Sequence, residues 1–270
     1  MATRAPVHRV VNRRVIQPAA PVRPRKRRFR RLRRLLVFGI VLGLAFLLGR
    51  AYVLHVYAPG LRSEAASIPA RVHNSLAQQN ETYVPGREIS PYMERAIVAI
   101  EDRRFYHHPG IDPLSLLRAF WVNVTHQHVD EGGSTLEQQL AKRAITQDDR
   151  TIHNKLRTMA IAWAIDQDFS KSQIIELYLN AAYYGRGAYG VGAAARVYFA
   201  TDPAHLTLSQ AAFLAAMPQA PSIYGAHPLA PDVLGRKNRV LADMEYMGYI
   251  TPSEELAAQQ APLTFAFQPS

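Results

Sequence analysis

The sequence predicts a mainly α-helical domain of moderate size, and two observations support this prediction. Apolar residues recur at helical spacing through most of residues 88–270, whereas the period-2 alternation that marks strands is nearly absent. Hydrophobic residues make up 48% of the 270 residues, which is enough to form a core. An α-dominated fold is therefore the expected class.

Each predicted helix of this domain begins or ends at a recognisable signal. Ser90-Pro91 places proline in the first turn of a helix that ends near Glu101. Ser170 is a capping residue, Pro218 stops an alanine-rich helix, and Gly248 ends the last long helix. The other expected helices cover residues 113–124, 134–142, 154–166, 174–180, 209–217 and 231–247.

The net charge of +11 is concentrated in one segment of the chain. Residues 1–34 hold 13 of the 32 Lys and Arg residues and no Asp or Glu. The remaining residues therefore hold 19 Lys and Arg against 21 Asp and Glu, which is close to neutral. A nearly neutral domain lacks the basic face that nucleic acids require, so we expect no nucleic-acid partner.

The apolar segment after the basic arm predicts a transmembrane helix over residues 35–57. Residues 35–49 carry no charge but span only about 22 Å, which is less than the ~30 Å of a bilayer core. Extension to residue 57 gives sufficient length, with Arg50 near the outer interface beside Tyr52 and Tyr57. Because basic residues mark the cytoplasmic side, we expect a cytoplasmic N-terminus and an exported domain.

Four segments follow from these features. Residues 1–34 are a basic cytoplasmic arm, 35–57 a transmembrane helix, 58–87 a juxtamembrane connector, and 88–270 the catalytic domain. The expected location is the cell (inner) membrane, with the domain in the periplasm or outside the cell. A cleaved signal peptide has a shorter basic region, and a nuclear-localisation or RNA-binding arm would leave the apolar run unexplained. Cysteine is absent and decides nothing further.

Two adjacent carboxylates, Glu101 and Asp102, stand at the end of the first predicted helix. Neighbouring side chains on a helix diverge by about 100 degrees, so these two do not form an acid–base pair with each other. One must point inward, and the other outward or into a helix cap. Glu101 follows an apolar run, where desolvation would make it a better general base. The alternative is an ordinary solvated glutamate at a helix end.

A second polar cluster follows Gly132-Gly133 and places hydroxyls, amides and a cation on one predicted helix. Its members are Ser134, Thr135, Gln138, Gln139 and Lys142. A helix N-terminus with hydroxyl groups and a lysine suits a phosphate ligand. The alternative is a capping serine followed by solvated amides.

Two further groups of residues were considered as ligand sites. Arg150, Lys155 and Arg157 either complete the anion site of Lys142 or form a solvated helix face. His107 and His108 are neighbours whose side chains point apart, and no third ligand follows at a metal-binding spacing. We therefore expect no histidine-bound metal.

The order of these motifs resembles that of the family 51 peptidoglycan glycosyltransferases. The resemblance covers roughly residues 85–250. The matching segments are Glu-Asp-x-x-Phe-x-x-His-x-Gly-x-Asp from Glu101, Gly-Gly-Ser-Thr-x-x-Gln-Gln-x-x-Lys from Gly132, and residues 174–185, 187–199 and 211–221.

The resemblance implies a lysozyme-like, two-lobed helical fold that polymerises lipid II, the undecaprenyl-diphosphate disaccharide-pentapeptide. Glu101 matches the general base that deprotonates the 4-hydroxyl of the acceptor sugar. That oxygen attacks the donor anomeric carbon with inversion, and undecaprenyl diphosphate leaves. Lys142 and Arg150 match cations facing the diphosphate. The expected substrate-binding residues are Asp102, Phe105, His108, Ser134, Thr135, Gln138, Gln139, Lys142, Arg150, Lys155, Arg157 and Asn180.

The resemblance also implies a setting in cell-wall biogenesis and the maintenance of cell shape. The expected partners are lipid II, the growing glycan strand, the membrane, and proteins of cell-wall synthesis or division. Nothing in the sequence requires a cofactor, although a divalent cation such as Mg²⁺ would have a place at the substrate diphosphate.

The chain departs from the family pattern at the third motif, Arg-Lys-x-x-Glu. Here the segment is Asn154-Lys155-Leu156-Arg157-Thr158, so Thr158 stands where the family has a second carboxylate. The alternative function is therefore a weakly active or non-catalytic member that binds lipid II as a scaffold. A lytic enzyme fits less well, since a glycan strand carries no diphosphate. No Ser-x-x-Lys motif occurs in the sequence, so transpeptidase chemistry is not expected.

Overall fold

The computed structural model describes residues 25–118, 133–146 and 151–268, and the regular elements within these ranges are helices. The predicted α-dominated class is confirmed. In chain order the main helices are α1 Arg25–Ala66, α2 Ile68–Gln78, α3 Pro91–Glu101, α4 at residues 113–118, α5 Leu136–Ala141, α6 Ile152–Asp168, α7 Lys171–Ala181, α8 Gly190–Phe199, α9 Leu208–Ala216, α10 Pro221–Ala226, α11 Pro231–Tyr246 and α12 Pro252–Gln260.

Shorter helical turns connect several of these elements. A π-helical turn, Lys142–Thr146, continues α5 directly. The 3₁₀ turns are Gly86–Glu88, Phe105–His107, Pro203–His205 and Met217–Gln219.

The chain divides into two units, Met1–Leu47 and Leu48–Ser270. The described part of the first unit belongs to α1, on which Val37, Ile40 and Leu44 are exposed. Among the described residues, no helix has both the length and the apolar character needed to cross a membrane. The transmembrane helix predicted over residues 35–57 is thus not shown by the structure.

Side-chain caps explain where several helices of the second unit begin. Thr135, Ser170, Thr207 and Thr251 each accept a hydrogen bond from the backbone N–H three residues on. In each case the side chain at that third position accepts in turn from the N–H of the capping residue. These reciprocal bonds satisfy two N–H groups that a helix start would otherwise leave unpaired.

Two groups of packed helices form the core of the second unit. Helices α3, α9 and α11 pack against one another, and α5 packs against α6 and α7. Met93 and Ile97 of α3 and Phe213 of α9 are completely buried in the first group. Helix α3 ends where the two groups meet, because Glu101 contacts side chains of both α5 and α11.

Most helices predicted from the sequence are confirmed, with ends that shift by a few residues. The helix expected over 134–142 is α5 followed by the π-helical turn, and the part of the 113–124 helix beyond residue 118 lies outside the described residues. Pro59-Gly60, at the start of the predicted connector 58–87, lies within α1, where Gly60 has a φ of 93°.

Helices α2, α8, α10 and α12 were not predicted. Helix α8 is buried on most of its surface, so it lacks the polar face on which a periodicity argument depends. Helix α12 is mostly exposed, and Ala258 is its only buried residue. It therefore lacks a strong apolar stripe from which a helix could be predicted.

Gly110 is a point at which the backbone of the second unit requires glycine. Its φ is 80°, and a Cβ atom there would lie 2.5 Å from the carbonyl oxygen of Ala162 in α6. The same loop accepts a hydrogen bond of 2.6 Å from the Thr135 hydroxyl to the Gly110 carbonyl. Gly110 therefore lets the loop after α3 lie directly on α6 beside the start of α5.

Substitution of Gly110 by alanine is expected to lower the free energy of unfolding by about 3 kcal/mol. A left-handed backbone costs about 1–3 kcal/mol for a residue with a Cβ atom, and the clash with rigid backbone adds to it. Gly235→Ala is the matched control, because Gly235 lies in α11 with open space around its Cα, and this change should stabilise by up to about 1 kcal/mol. Denaturant unfolding of both full-length variants tests this difference, and equal stabilities would contradict it.

Candidate active site

Glu101 is the last residue of α3, and its carboxylate is held between two helices of different groups. Gln139 Nε2 of α5 donates to Glu101 Oε2 at 2.7 Å. Arg236 Nη2 of α11 donates to Glu101 Oε1 at 3.4 Å. The side chain is 14% exposed, so it is largely desolvated and still reachable from solvent. Both partners donate, so each carboxylate oxygen of Glu101 accepts one hydrogen bond from a side chain.

Tyr178 of α7 sets the orientation of the Gln139 amide. Its hydroxyl donates to Gln139 Oε1 at 3.0 Å. Burial raises the pKa of Tyr178, so the phenol keeps its proton and acts as a donor. The amide oxygen of Gln139 must therefore face Tyr178, which leaves the amide NH₂ group facing Glu101. A buried phenol thus fixes which atom of the amide contacts the carboxylate.

Two arginines give this site a positive environment. Arg236 also donates from Nε to the carbonyl oxygen of Ala216 at 3.2 Å, which anchors its guanidinium beside Glu101. Arg143, in the π-helical turn, places its guanidinium 5.3 Å from the centre of the Tyr178 ring. These cations lie where an anionic substrate group near Glu101 would be stabilised.

Asp102 connects the end of α3 to the start of α5. Its buried carboxylate accepts from the N–H of Leu136 at 3.1 Å and from His108 Nε2 at 3.0 Å. A carboxylate at a helix N-terminus interacts favourably with the helix dipole and satisfies an unpaired N–H. The expectation that one of the two adjacent carboxylates would enter a helix cap therefore matches the geometry.

The five residues of the predicted polar cluster on α5 have different contacts in the structure. Thr135 and Gln138 form the reciprocal cap of α5, with the N–H of Thr135 donating to Gln138 Oε1 at 3.0 Å. Gln139 contacts Glu101, whereas Ser134 and Lys142 are exposed. Of these five side chains, Gln139 is thus the one whose hydrogen bond reaches the carboxylate.

The three residues of the predicted basic group do not form one cluster among the described residues. Arg150 lies outside the described residues, and Lys155 is exposed on α6. Arg157 Nη2 is 2.6 Å from Glu64 Oε1 near the end of α1, so its charge is partly compensated within the protein. Thr158 donates to the carbonyl oxygen of Asn154 at 2.8 Å, and its hydroxyl lies 2.9 Å from that of Thr146.

The remaining predicted substrate-binding residues are buried and contact protein groups. Phe105 and His108 belong to the loop after α3 and are buried, and the Lys171 ammonium lies 4.4 Å from the centre of the Phe105 ring. Asn180 of α7 donates to the carbonyl of Val84 and accepts from its N–H, each at 2.8 Å. These contacts hold the connector and the loop in place.

A charged cluster lies beneath this site and comprises the buried Asp102, His108 and Glu137 and the partly exposed Lys171 and Asp166. One ligand-type atom from each of Asp102, His108 and Glu137 lies within 4.8 Å of the others. Glu137 lies far from the two histidines in sequence, so the spacing argument missed it. Lys171 Nζ already occupies the position beside Glu137 Oε1 at 2.7 Å, and we assign the cluster to no metal.

Sequence reasoning missed Arg236, Arg143, Tyr178, Glu137 and Lys171 as site residues. Tyr178 lies inside a segment that matched by motif, so its position was noted without a role. Arg236 follows Glu101 by 135 residues on a helix that carried no other chemical signal. No spacing rule relates the two, and only the packing of α11 on α3 brings them together.

Comparison with known proteins gives the family of this chain. Residues 69–245 match the family model described as "Transgly: Transglycosylase". Penicillin-binding protein 1A of Aquifex aeolicus (strain VF5) is 41% identical over 212 residues, which is 78% of this chain and 29% of that protein. Penicillin-binding protein 1F of Bacillus subtilis (strain 168) is 40% identical over 186 residues, 68% of this chain and 26% of that protein.

A third relative gives the same result. Penicillin-binding protein 1A of Escherichia coli (strain K12) is 41% identical over 167 residues, covering 62% of this chain and 20% of that protein. The chain belongs to the transglycosylase family, and the family resemblance noted in the sequence is confirmed. It spans less than a third of the length of these three relatives.

Proposed function

We propose that the chain is a peptidoglycan glycosyltransferase that polymerises lipid II into glycan strands. The observation that carries this proposal is the Glu101 carboxylate, held by Gln139 and Arg236 within the matched transglycosylase segment. The lysozyme-like, two-lobed arrangement and the place of the protein in cell-wall biogenesis and cell shape belong to the same proposal.

Glu101 is the general base of the proposed reaction. Its carboxylate takes the proton of the acceptor 4-hydroxyl as that oxygen bonds to the donor anomeric carbon. The bond from this carbon to the diphosphate oxygen breaks, and undecaprenyl diphosphate leaves with the electron pair. Attack from the face opposite the leaving group inverts the configuration from α to β.

Positive groups near Glu101 stabilise the departing diphosphate. Arg236 lies beside the carboxylate, Arg143 lies over the ring of Tyr178, and Lys142 is exposed one residue before Arg143. Preorganised cations in a partly desolvated cleft stabilise charge that develops during transfer. Arg150, matched to a cation facing the diphosphate, is proposed to act with Lys142, and Lys155 and Arg157 are proposed to add positive charge. Mg²⁺ would act on the substrate diphosphate.

Glu101→Gln is expected to lower lipid II turnover by about two orders of magnitude or more, because the amide keeps the shape of the side chain but cannot accept the proton. Binding of lipid II should change little, since its polar contacts do not depend on the base. Glu88→Gln is the control, because Glu88 is an exposed residue of a 3₁₀ turn. Polymer yield and lipid II affinity are measured on the full chain, and an unchanged yield would reject Glu101 as the base.

A scaffold that binds lipid II and polymerises it slowly is the second candidate function. The observation that favours it is Thr158, whose hydroxyl is bound to the Asn154 carbonyl and lies against Thr146. Threonine supplies no negative charge there to orient cations or to stabilise positive charge at the anomeric carbon. On this reading the wild-type chain binds lipid II as a partner of cell-wall synthesis or division proteins.

Thr158→Glu separates the two candidate functions. If the missing carboxylate limits the rate, the substitution should raise turnover by about 10-fold under identical detergent and divalent-ion conditions. Thr158→Gln is the matched control, since it adds similar bulk without charge. Rapid wild-type turnover with no gain from Thr158→Glu would eliminate the scaffold function.

We also propose that the chain is anchored in the cell (inner) membrane by residues 35–57. The sequence pattern supports this, because the basic residues of the arm precede an apolar run and the lipid-linked substrate lies in the membrane. A periplasm-active reporter fused after Ser270 should be active, and the same fusion to a cytoplasm-active reporter should not. Activity of the cytoplasmic reporter alone would reverse the proposed topology.

A further inference from the structure

Two ion pairs connect helix α11 to the end of α3. Arg236 Nη2 lies 3.4 Å from Glu101 Oε1. Arg103 Nη2, in the turn that follows α3, lies 2.6 Å from Asp243 Oδ1. Arg236 and Asp243 are close to two helical turns apart, so they lie on the same face of α11, separated by about 10 Å along its axis. The two pairs therefore join the same two segments of the chain at separate points.

The pair of Arg103 and Asp243 is the firmer of the two contacts. The side chain of Asp243 is 9% exposed and that of Arg103 is 36% exposed. Hydrogen bonds between charged groups at this short distance are strong, whereas the 3.4 Å contact of Arg236 is longer than a typical hydrogen bond. Apolar packing also holds α11 on α3, but it is non-directional. The ion pair adds a directional constraint on the position of α11.

Asp243 has a second arginine partner that does not connect the two segments. Arg239 Nε donates to both Asp243 oxygens, at 3.2 and 3.3 Å, from one turn earlier on α11. Because both residues belong to α11, this pair cannot fix the helix relative to α3. The guanidinium of Arg103, in contrast, also lies 5.9 Å from the centre of the Tyr246 ring near the end of α11. Arg103 thus contacts α11 through two of its residues.

We propose that Arg103 and Asp243 are positioning residues for the transfer reaction, and that their ion pair sets the register of α11 against the end of α3. With this register fixed, Arg236 lies beside the Glu101 carboxylate. This inference rests on the proposed function and adds two residues that do not touch the substrate.

Arg236 is sensitive to the position of α11 because its guanidinium has two partners outside that helix. Its Nε donates to the carbonyl oxygen of Ala216, the last residue of α9, at 3.2 Å, and its Nη2 donates to Glu101. Both bonds belong to one planar group, so a shift of α11 changes both distances together. A displacement of about 1 Å at a reacting group can cost about 100-fold in rate.

Direct binding of the substrate by Arg103 is the rival explanation. The charge of Arg103 is compensated by Asp243, and its guanidinium lies over the Tyr246 ring. These contacts direct the side chain to α11 and use its charge within the protein. A positioning role therefore accounts for the geometry of Arg103 without a ligand.

The test compares Arg103→Met and Asp243→Asn with Arg239→Met in the full chain. The first two variants remove the contact between α3 and α11, and each should lower kcat for lipid II about 10-fold with little change in KM. Arg239→Met is the matched control, since it removes an arginine from the same carboxylate but keeps the contact with α3, and it should behave like wild type. Arg103→Lys keeps the charge and should recover part of the loss. In the double variant of Arg103→Met and Asp243→Asn the two losses should not add.

Amide hydrogen exchange measures the coupling without catalysis. Arg103→Met and Asp243→Asn should both speed exchange in residues 236–246 of α11, whereas Arg239→Met should leave it near the wild-type rate. A wild-type chain that does not polymerise lipid II would refute the proposed function, while the exchange rates would still test the coupling.

Unchanged kcat or unchanged exchange in folded Arg103→Met and Asp243→Asn overturns the proposal, as does an equal loss of kcat in Arg239→Met. A higher KM at unchanged kcat in Arg103→Met would overturn it in favour of substrate binding. If Asp243→Asn does not fold, Arg103→Met and Arg103→Lys decide by the same measurements, because the Arg103 side chain is partly exposed.

Discussion

The hydrogen bond from the Leu136 N–H to the Asp102 carboxylate is the contact on which the candidate active site depends. It joins the last turn of α3 to the first turn of α5, at the place where the two packed groups of helices meet. Because Glu101 and Asp102 are adjacent, fixing one limits where the other can point. The Asp102 carboxylate is buried and occupied by this hydrogen bond. The neighbouring Glu101 carboxylate is partly exposed and accepts from side-chain donors.

The polarity of each helix end decides what these two carboxylates do. Asp102 faces the positive end of α5 and is occupied by the Leu136 N–H. Within the described ranges, the donors to Glu101 are the side chains of Gln139 and Arg236, and its carboxylate remains partly exposed. Two identical functional groups thus acquire different tasks from their surroundings. The Tyr178 hydroxyl strengthens the difference, because it forces the amide of Gln139 to donate to Glu101.

Sequence patterns predicted the parts of the site that are local. The start of α3 at Ser90-Pro91 and its end at Glu101 follow from residue types at fixed offsets, and the structure confirms them. The capping residue of α5 is Thr135, one position after the serine that was considered as a cap. The separation of Glu101 and Asp102 into different directions also followed, since it depends only on helix geometry.

The long-range parts of the site could not be predicted in this way. Arg236, Lys171 and Glu137 reach the site through the packing of α11, α7 and α5, and no periodicity in one segment reports on another. Their charges are also typical of solvated helix faces, which is the usual position of Lys and Glu. Glu137 is buried, and Arg236 and Lys171 are partly exposed, so their roles become recognisable only when their partners are seen.

The segment around Thr158 shows how packing and electrostatics compete at one position. The π-helical turn Lys142–Thr146 is tied to α6 by the hydroxyl pair of Thr146 and Thr158 and by the Asn154 amide, which donates to the Thr146 carbonyl at 3.2 Å. π-helical turns are rare in proteins, and those that occur are often found at functional sites. This one carries Lys142 and Arg143 in succession. A carboxylate at position 158 would add charge near these cations but remove the hydroxyl pair that holds the turn. The threonine at position 158 thus helps to fix the turn that carries Lys142 and Arg143, and it supplies no negative charge.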